Sequence, residues 1–175
     1  DLWESSVTYD FPAAAAVMNV YSTSTSDAGA VISISGLDSN FGMISENVTL
    51  NSSGFNSTVN SYYRINSFQM LTPNTNQTTN VGTVGAKNTA NVALMAPGVG
   101  RMQNSWYSIP AGYSMYVLDI SIFSGETKTG ATPTWFYYRV RNRNNISKMT
   151  YNVLTTSFQN SYKVTRVNPV RYTEK

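Results

Sequence analysis

Val31-Ile32-Ser33-Ile34-Ser35-Gly36 and Ile44-Ser45-Glu46-Asn47-Val48-Thr49-Leu50 are joined through Leu37-Asp38-Ser39-Asn40-Phe41-Gly42, and these residues decide the fold class. Apolar and polar side chains alternate in the first run, and Ile44, Val48 and Leu50 recur at even spacing in the second. Both have the period of a strand with one buried face. The link carries Asp, Asn and Gly, residues that tolerate turn dihedrals, so the two runs read as an antiparallel hairpin.

The same reading extends outward. Tyr62 to Leu71 keeps strand composition, but its apolar phase changes from Tyr63/Ile65 to Phe68/Met70, which predicts a β-bulge. Thr72 to Ala90 has Lys87 as its only charge and little apolar surface, so it reads mostly as an exposed loop or flat edge. Apolar character returns in Asn91 to Met95, Trp106 to Ile109 and, after the turn Pro110-Ala111-Gly112, Ser114 to Phe123. Further strands are expected at Thr134 to Arg143, Met149 to Phe158 and Tyr162 to Val167. Eight to ten short strands at roughly 8–12-residue spacing predict an all-β antiparallel β-sandwich, with a jelly roll as the commonest small form of that plan. Pro12, Val17, Val20 and Tyr21 argue against a helix around Ala13 to Ala16. Residues 1–17 are therefore expected as an extended N-terminal arm, followed by one sandwich domain over 18–175.

Composition points the same way. The 175 residues include 19 Asn, 22 Ser and 20 Thr, and only 12% are charged, so neutral hydrogen-bonding groups supply most of the polar surface. This mixture is poor in helix formers and suits strands joined by polar turns. With 0 His and 0 Cys, the chain excludes a Ser-His-Asp triad, a Cys-His pair, a disulfide and a nitrogen/sulfur zinc site. The longest apolar run, Phe11 to Met18, contains Pro12 and is far short of the roughly 20 residues a spanning helix needs, so a soluble protein is expected. The chain begins at Asp1 without Met, which points to an upstream piece removed by processing or lying outside this sequence.

Nine acids are scattered along the chain without a motif spacing. Glu46 and Asp119 could meet across a sheet as a glycosidase pair, but a solvated Glu46 and an Arg-paired Asp119 are the favoured reading, and no catalytic residue is assigned. Gly98-Val99-Gly100-Arg101 lacks the Gly-Lys-Ser/Thr ending of a phosphate loop and reads as a turn. Five Asn-x-Ser/Thr sequons begin at Asn47, Asn51, Asn56, Asn76 and Asn145, which is the number expected by chance from this composition.

Charge is placed unevenly. Residues 139–175 carry eight bases against Glu174 alone, a net +7, whereas residues 1–138 carry four bases and eight acids, a net −4. Arg139, Arg141 and Arg143 alternate with Val140 and Asn142, so in a strand they form a cationic row. Such a row can clamp carboxylates of a protein partner or phosphates of a nucleic acid, or simply discourage edge aggregation. A net charge of +3 and the absence of a recognised motif rank nucleic acid low as a partner.

Asp1-Leu2-Trp3-Glu4, Tyr9-Asp10-Phe11-Pro12-Ala13-Ala14-Ala15, Gly36-Leu37-Asp38-Ser39-Asn40, Ser45 to Asn51, Tyr62-Tyr63-Arg64-Ile65-Asn66 and Tyr107-Ser108-Ile109-Pro110-Ala111-Gly112 together resemble a family of small virion proteins of tailed bacteriophages, including marine and cyanobacterial phages. The resemblance runs from Asp1 to about Ile122 and brings no catalytic motif. It implies a non-enzymatic capsid decoration or cement protein on the virion exterior, without cofactor or metal. The implied partner is the major capsid protein, and self-association, for instance as a trimer, is expected; neither a small-molecule substrate nor a membrane is. The expected partner-binding residues are Trp3 and Phe11 of the arm together with Arg139, Arg141 and Arg143. The alternative is a tail, collar or fibre module recognising a host surface glycan, with aromatics stacking on sugars and Asn, Ser and Thr bonding their hydroxyls.

Overall fold

The alternation at Val31 builds a strand. In a computed structural model that describes residues 11–52, 54–104, 106–123, 137–142, 145–152 and 161–173, Val31–Leu37 (β2) pairs antiparallel with Met43–Thr49 (β3) in unbroken register from Val31↔Thr49 to Leu37↔Met43. Ile32 and Ile34 are fully buried and Ser33 and Ser35 lie on the opposite face. The turn is closed by Asp38, whose Oδ1 accepts from the N–H groups of Asn40 and Gly42, both at 2.8 Å. Phe41 takes a left-handed φ of 61° in this turn, which carries its ring into the interior edge-on against Tyr63 at 5.5 Å.

The other neighbour of β2 is Arg64–Thr72 (β5), completing a three-stranded sheet in the order β3-β2-β5. Ser35 faces Ser67 but Gly36 faces Ile65, so Asn66 is the extra residue of a bulge, where the phase change in the sequence placed one. Ile65 and Phe68 are three apart, and the bulge is what lets both reach the core. Gly36 is required here, because a Cβ would lie 2.0 Å from the Arg64 carbonyl oxygen.

A four-stranded antiparallel sheet, β4-β1-β6-β7, faces it. Its members are Ala16–Ser22 (β1), Phe55–Tyr62 (β4), Val84–Lys87 (β6) and Asn91–Met95 (β7). Met18, Val20, Val84, Ala86, Val92 and Met95 from this sheet share one core with Ile32, Ile34, Val48, Ile65 and Phe68 from the other. This is an antiparallel β-sandwich, each fully buried Ile or Val contributing about 1.5–3 kcal/mol. β1 begins at Ala16, within the range expected as an arm.

Two sequence readings change and one strand is added. The Thr72 to Ala90 stretch is not all loop, since β6 lies inside the sheet with Val84 and Ala86 fully buried. The four residues Val84-Gly85-Ala86-Lys87 give too short a pattern to register; Gly85 is there because the Tyr21 ring lies across it, 2.8 Å from where a Cβ would be. β4 has no sequence signal because its apolar residues Phe55 and Val59 face outward, whereas Thr58 and Tyr62 face inward. The buried Thr58 serves a bulge in β4, where residues 58–60 stand opposite Met18, its Oγ1 accepting from Met18 N–H at 2.9 Å and donating to the Asn60 carbonyl at 2.8 Å. Trp106 to Ile109 is irregular chain pinned by side-chain bonds rather than a strand.

The chain forms two compact units, Asp1–Ala111 and Gly112–Lys175. In the second, Ser114–Phe123 (β8) pairs antiparallel with Ser161–Thr173 (β11), and Tyr137–Asn142 (β9) with Asn145–Asn152 (β10).

Candidate functional site

Among the described residues of the first unit, Asp27, Asp38 and Glu46 each accept hydrogen bonds from backbone N–H groups. Asp27 lies in a short 3-10 turn, Thr25–Asp27, and is 1% exposed. Its Oδ1 accepts from Val81 N–H at 2.7 Å, and its Oδ2 accepts from Gly82 N–H at 3.0 Å and from the Ser22 hydroxyl. The carboxylate therefore ties the chain entering β6 to the end of β1. Asn80 works beside it, donating through Nδ2 to the carbonyls of Gly82 and Ala96 and accepting at Oδ1 from Gly100 N–H. Buried polar groups need such complete satisfaction.

Glu46 projects from β3 to the edge of β4, where its two carboxylate oxygens accept from the consecutive N–H groups of Val59 and Asn60 at 2.8 and 2.9 Å. This closes one edge of the sandwich against further strand addition. The neighbouring Tyr62 hydroxyl is buried without a hydrogen-bond partner of good geometry. Its pKa is pushed well above the ordinary 10.0, first by burial and then by the negative charge of Glu46. Asp119, the suggested partner of Glu46, sits opposite Thr165 in β8 of the second unit. Among the described residues no cluster of acids could hold a metal ion, and no helix is long and apolar enough to cross a membrane.

Of the expected contact residues, Trp3 and Arg143 lie outside the described residues. Phe11 is held within the chain: its ring meets Trp106 edge-on at 6.2 Å, and the Arg64 guanidinium lies 4.9 Å from its centroid. That guanidinium also stacks 3.8 Å over Tyr63 and donates to the carbonyls of Pro12 and Tyr63. Arg64, which the sequence reading did not single out, thus fastens residues 11 and 12 to the sandwich. Arg139 and Arg141 occupy alternate positions of β9, Arg139 opposite Thr150.

Two outer faces remain. On the four-stranded sheet, Phe55 and Val59 of β4 are 53% and 90% exposed, and Val17 of β1 is 44% exposed. Phe55 stands opposite Tyr21, which crosses Gly85, donates to Asn91 Oδ1 at 2.9 Å and lies under the Lys87 ammonium at 5.0 Å. Burial raises the pKa of this Tyr21 hydroxyl, opposed by the bond to Asn91.

On the three-stranded sheet, a cleft of about 320 Å³ is lined by Ser35, Ser45, Ser67 and Met43 from the strands and by Tyr107 and Pro110 from the segment that crosses them. Asn66, the bulge residue, fixes that segment by donating to the Ser108 carbonyl at 2.8 Å and accepting from Ser108 N–H at 2.9 Å. Ala111 N–H to the Phe41 carbonyl, 2.8 Å, fastens its far end. Composition announced abundant serine, but only strand register, including the bulge, shows which serines meet.

Fold and faces together define an all-β antiparallel sandwich with exposed apolar side chains on one outer face and, on the other, an uncharged cleft where serines and Asn66 sit among apolar side chains. Comparison with protein-family models, curated proteins and solved structures gives no match.

Proposed function

We propose that the protein is a non-enzymatic structural component of a phage virion, a decoration or cement protein that attaches to the major capsid protein on the capsid exterior. The observation carrying this reading is the strip Val17, Phe55 and Val59 on adjacent strands β1 and β4, apolar side chains left in water at 44%, 53% and 90% exposure on the outer face of the sheet. Large apolar groups grouped on one face favour contact with a protein surface. The basic residues Arg139, Arg141 and Arg143, alternate in the sequence, add attraction to acidic capsid surface, which raises association rate and salt sensitivity. Binding the assembled shell but not its separated subunits stabilises the shell by RT ln(1 + [L]/Kd) at each site, and self-association multiplies weak contacts into avidity.

The test is occupancy on purified shells. Phe55→Ser combined with Val59→Asp removes the apolar strip without touching the core, and is expected to lower occupancy at least about tenfold. Full occupancy by a folded double variant contradicts the assignment.

A further inference from the structure

The cleft on the three-stranded sheet has a chemistry of its own. Ser35 of β2 stands directly opposite Ser45 of β3 and Ser67 of β5. Neighbouring strands are about 4.8 Å apart, so the three side chains form a row roughly 10 Å long. Two residues further along the same face, Ser33 stands opposite Asn47 and Gln69. Among the described residues, none of these six side chains is engaged by another protein group. No Asp, Glu, Lys or Arg lines the cleft. Asp38 and Glu46 of the flanking segments are bound to backbone N–H groups, and Arg64 is held between Tyr63 and Phe11.

Beside this row, Tyr107 and Met43 are 57% and 62% exposed at the cleft. Tyr107 belongs to a segment already fixed by Asn66 to Ser108 and by Ala111 to Phe41, so a ligand meeting it pays little ordering entropy. The volume is at the small end of ligand sites, roughly 300 Å³.

We propose that this cleft binds a neutral pyranose unit of a glycan. Such a ring offers hydroxyls that can donate to and accept from the serine row, and a C–H face that can lie against the tyrosine ring. Neutral serine hydroxyls are donors and acceptors at once, which suits a ligand whose hydroxyls are the same. An anionic sugar would be stripped of water with no cation in return, so uronic and sialic acids are disfavoured. The cleft and the Val17–Phe55–Val59 strip lie on different sheets, so this inference stands whether or not that strip attaches the protein to a capsid.

Saturation-transfer NMR and calorimetry on the full chain, with gluco-, manno- and galacto-configured hexasaccharides as probes and hexagalacturonate as the acidic counterpart, test it. Binding to at least one neutral hexasaccharide is expected, weakened at least about tenfold by Tyr107→Ala and changed less than about threefold by Tyr107→Phe, which keeps the ring. Ser35→Val should also weaken it; because Ser35 is partly buried, the melting temperature of that variant is measured alongside, and Tyr107→Ala, at an exposed position, is the deciding variant. Absence of binding to all three neutral probes, binding unaffected by Tyr107→Ala, or tighter binding of hexagalacturonate overturns the proposal. Unchanged shell occupancy by Tyr107→Ala would show that loss of sugar binding is separate from capsid attachment.

Discussion

Replacing Asn66 by Ala isolates the device that holds the cleft wall in place. The side chain makes two bonds to one residue, Nδ2 to the Ser108 carbonyl at 2.8 Å and Ser108 N–H to Oδ1 at 2.9 Å, in a half-buried setting. At about 0.5–1.5 kcal/mol net for each bond, their removal lowers the cost of lifting the segment around Ser108 by about 1–3 kcal/mol. The β5 ladder needs only the backbone of Asn66, so global stability should fall by less than the local opening energy. Residue-resolved amide exchange reads this directly: Ser108 N–H loses its acceptor, and its protection should drop between about fivefold and 150-fold at 25 °C. Asn66→Asp keeps an acceptor for Ser108 N–H but sets a carboxylate against the Ser108 carbonyl, so it should also lose protection. Unchanged protection of Ser108 in Asn66→Ala would mean that the segment is held by something other than this pair of bonds.

Asp27→Ala leaves the Val81 and Gly82 N–H groups and the Ser22 hydroxyl without their shared acceptor; a loss of about 3–5 kcal/mol in denaturant unfolding is expected, and a loss under about 1 kcal/mol contradicts the role given to this carboxylate. Gly36→Ala drives a Cβ to 2.0 Å from a backbone oxygen and 2.9 Å from the Tyr62 ring, so thermal unfolding should show destabilisation at or above the usual 1–3 kcal/mol for overpacking. Tyr62 has a raised folded-state pKa, so the folded protein holds this proton more tightly than the unfolded chain. Its contribution is complete below the unfolded value near 10.0 and is lost as pH rises above it, with a slope of up to about 1.4 kcal/mol per pH unit. Tyr62→Phe should therefore be within about 1 kcal/mol of the parent at pH 7 and lose stability less steeply above pH 10; an identical alkaline slope speaks against the burial of this hydroxyl.

The sheet that bears the cleft was legible because its core positions alternate. Ile32, Ile34 and Val48 declare the hairpin, and the Ile65/Phe68 phase change declares the bulge. The opposite sheet was legible only in part. β4 turns Phe55 and Val59 to water and buries Thr58, the reverse of the pattern that marks a strand face, while β6 is only four residues long, with Gly85 under the Tyr21 ring. Periodicity reports which side chains seek the core, and both strands were recruited by their neighbours instead.

The cleft was hidden for a different reason. Ser35, Ser45 and Ser67 are ordinary polar positions in three separate strands until register aligns them, and Tyr107 joins them through Asn66, which is 42 positions away from Ser108. Lone acids were equally ambiguous in the sequence: Glu46 as a solvated or catalytic group differs from Glu46 as an edge clamp only in what it touches.

The proposed attachment to a capsid runs through the outer strip of the four-stranded sheet. Electron cryomicroscopy of an intact particle carrying this chain would show it. Density for the sandwich is expected repeated over the outer shell, with Phe55 and Val59 turned toward the major capsid protein. Density confined to tail or fibres, or a shell-bound sandwich with that strip facing solvent, would contradict it.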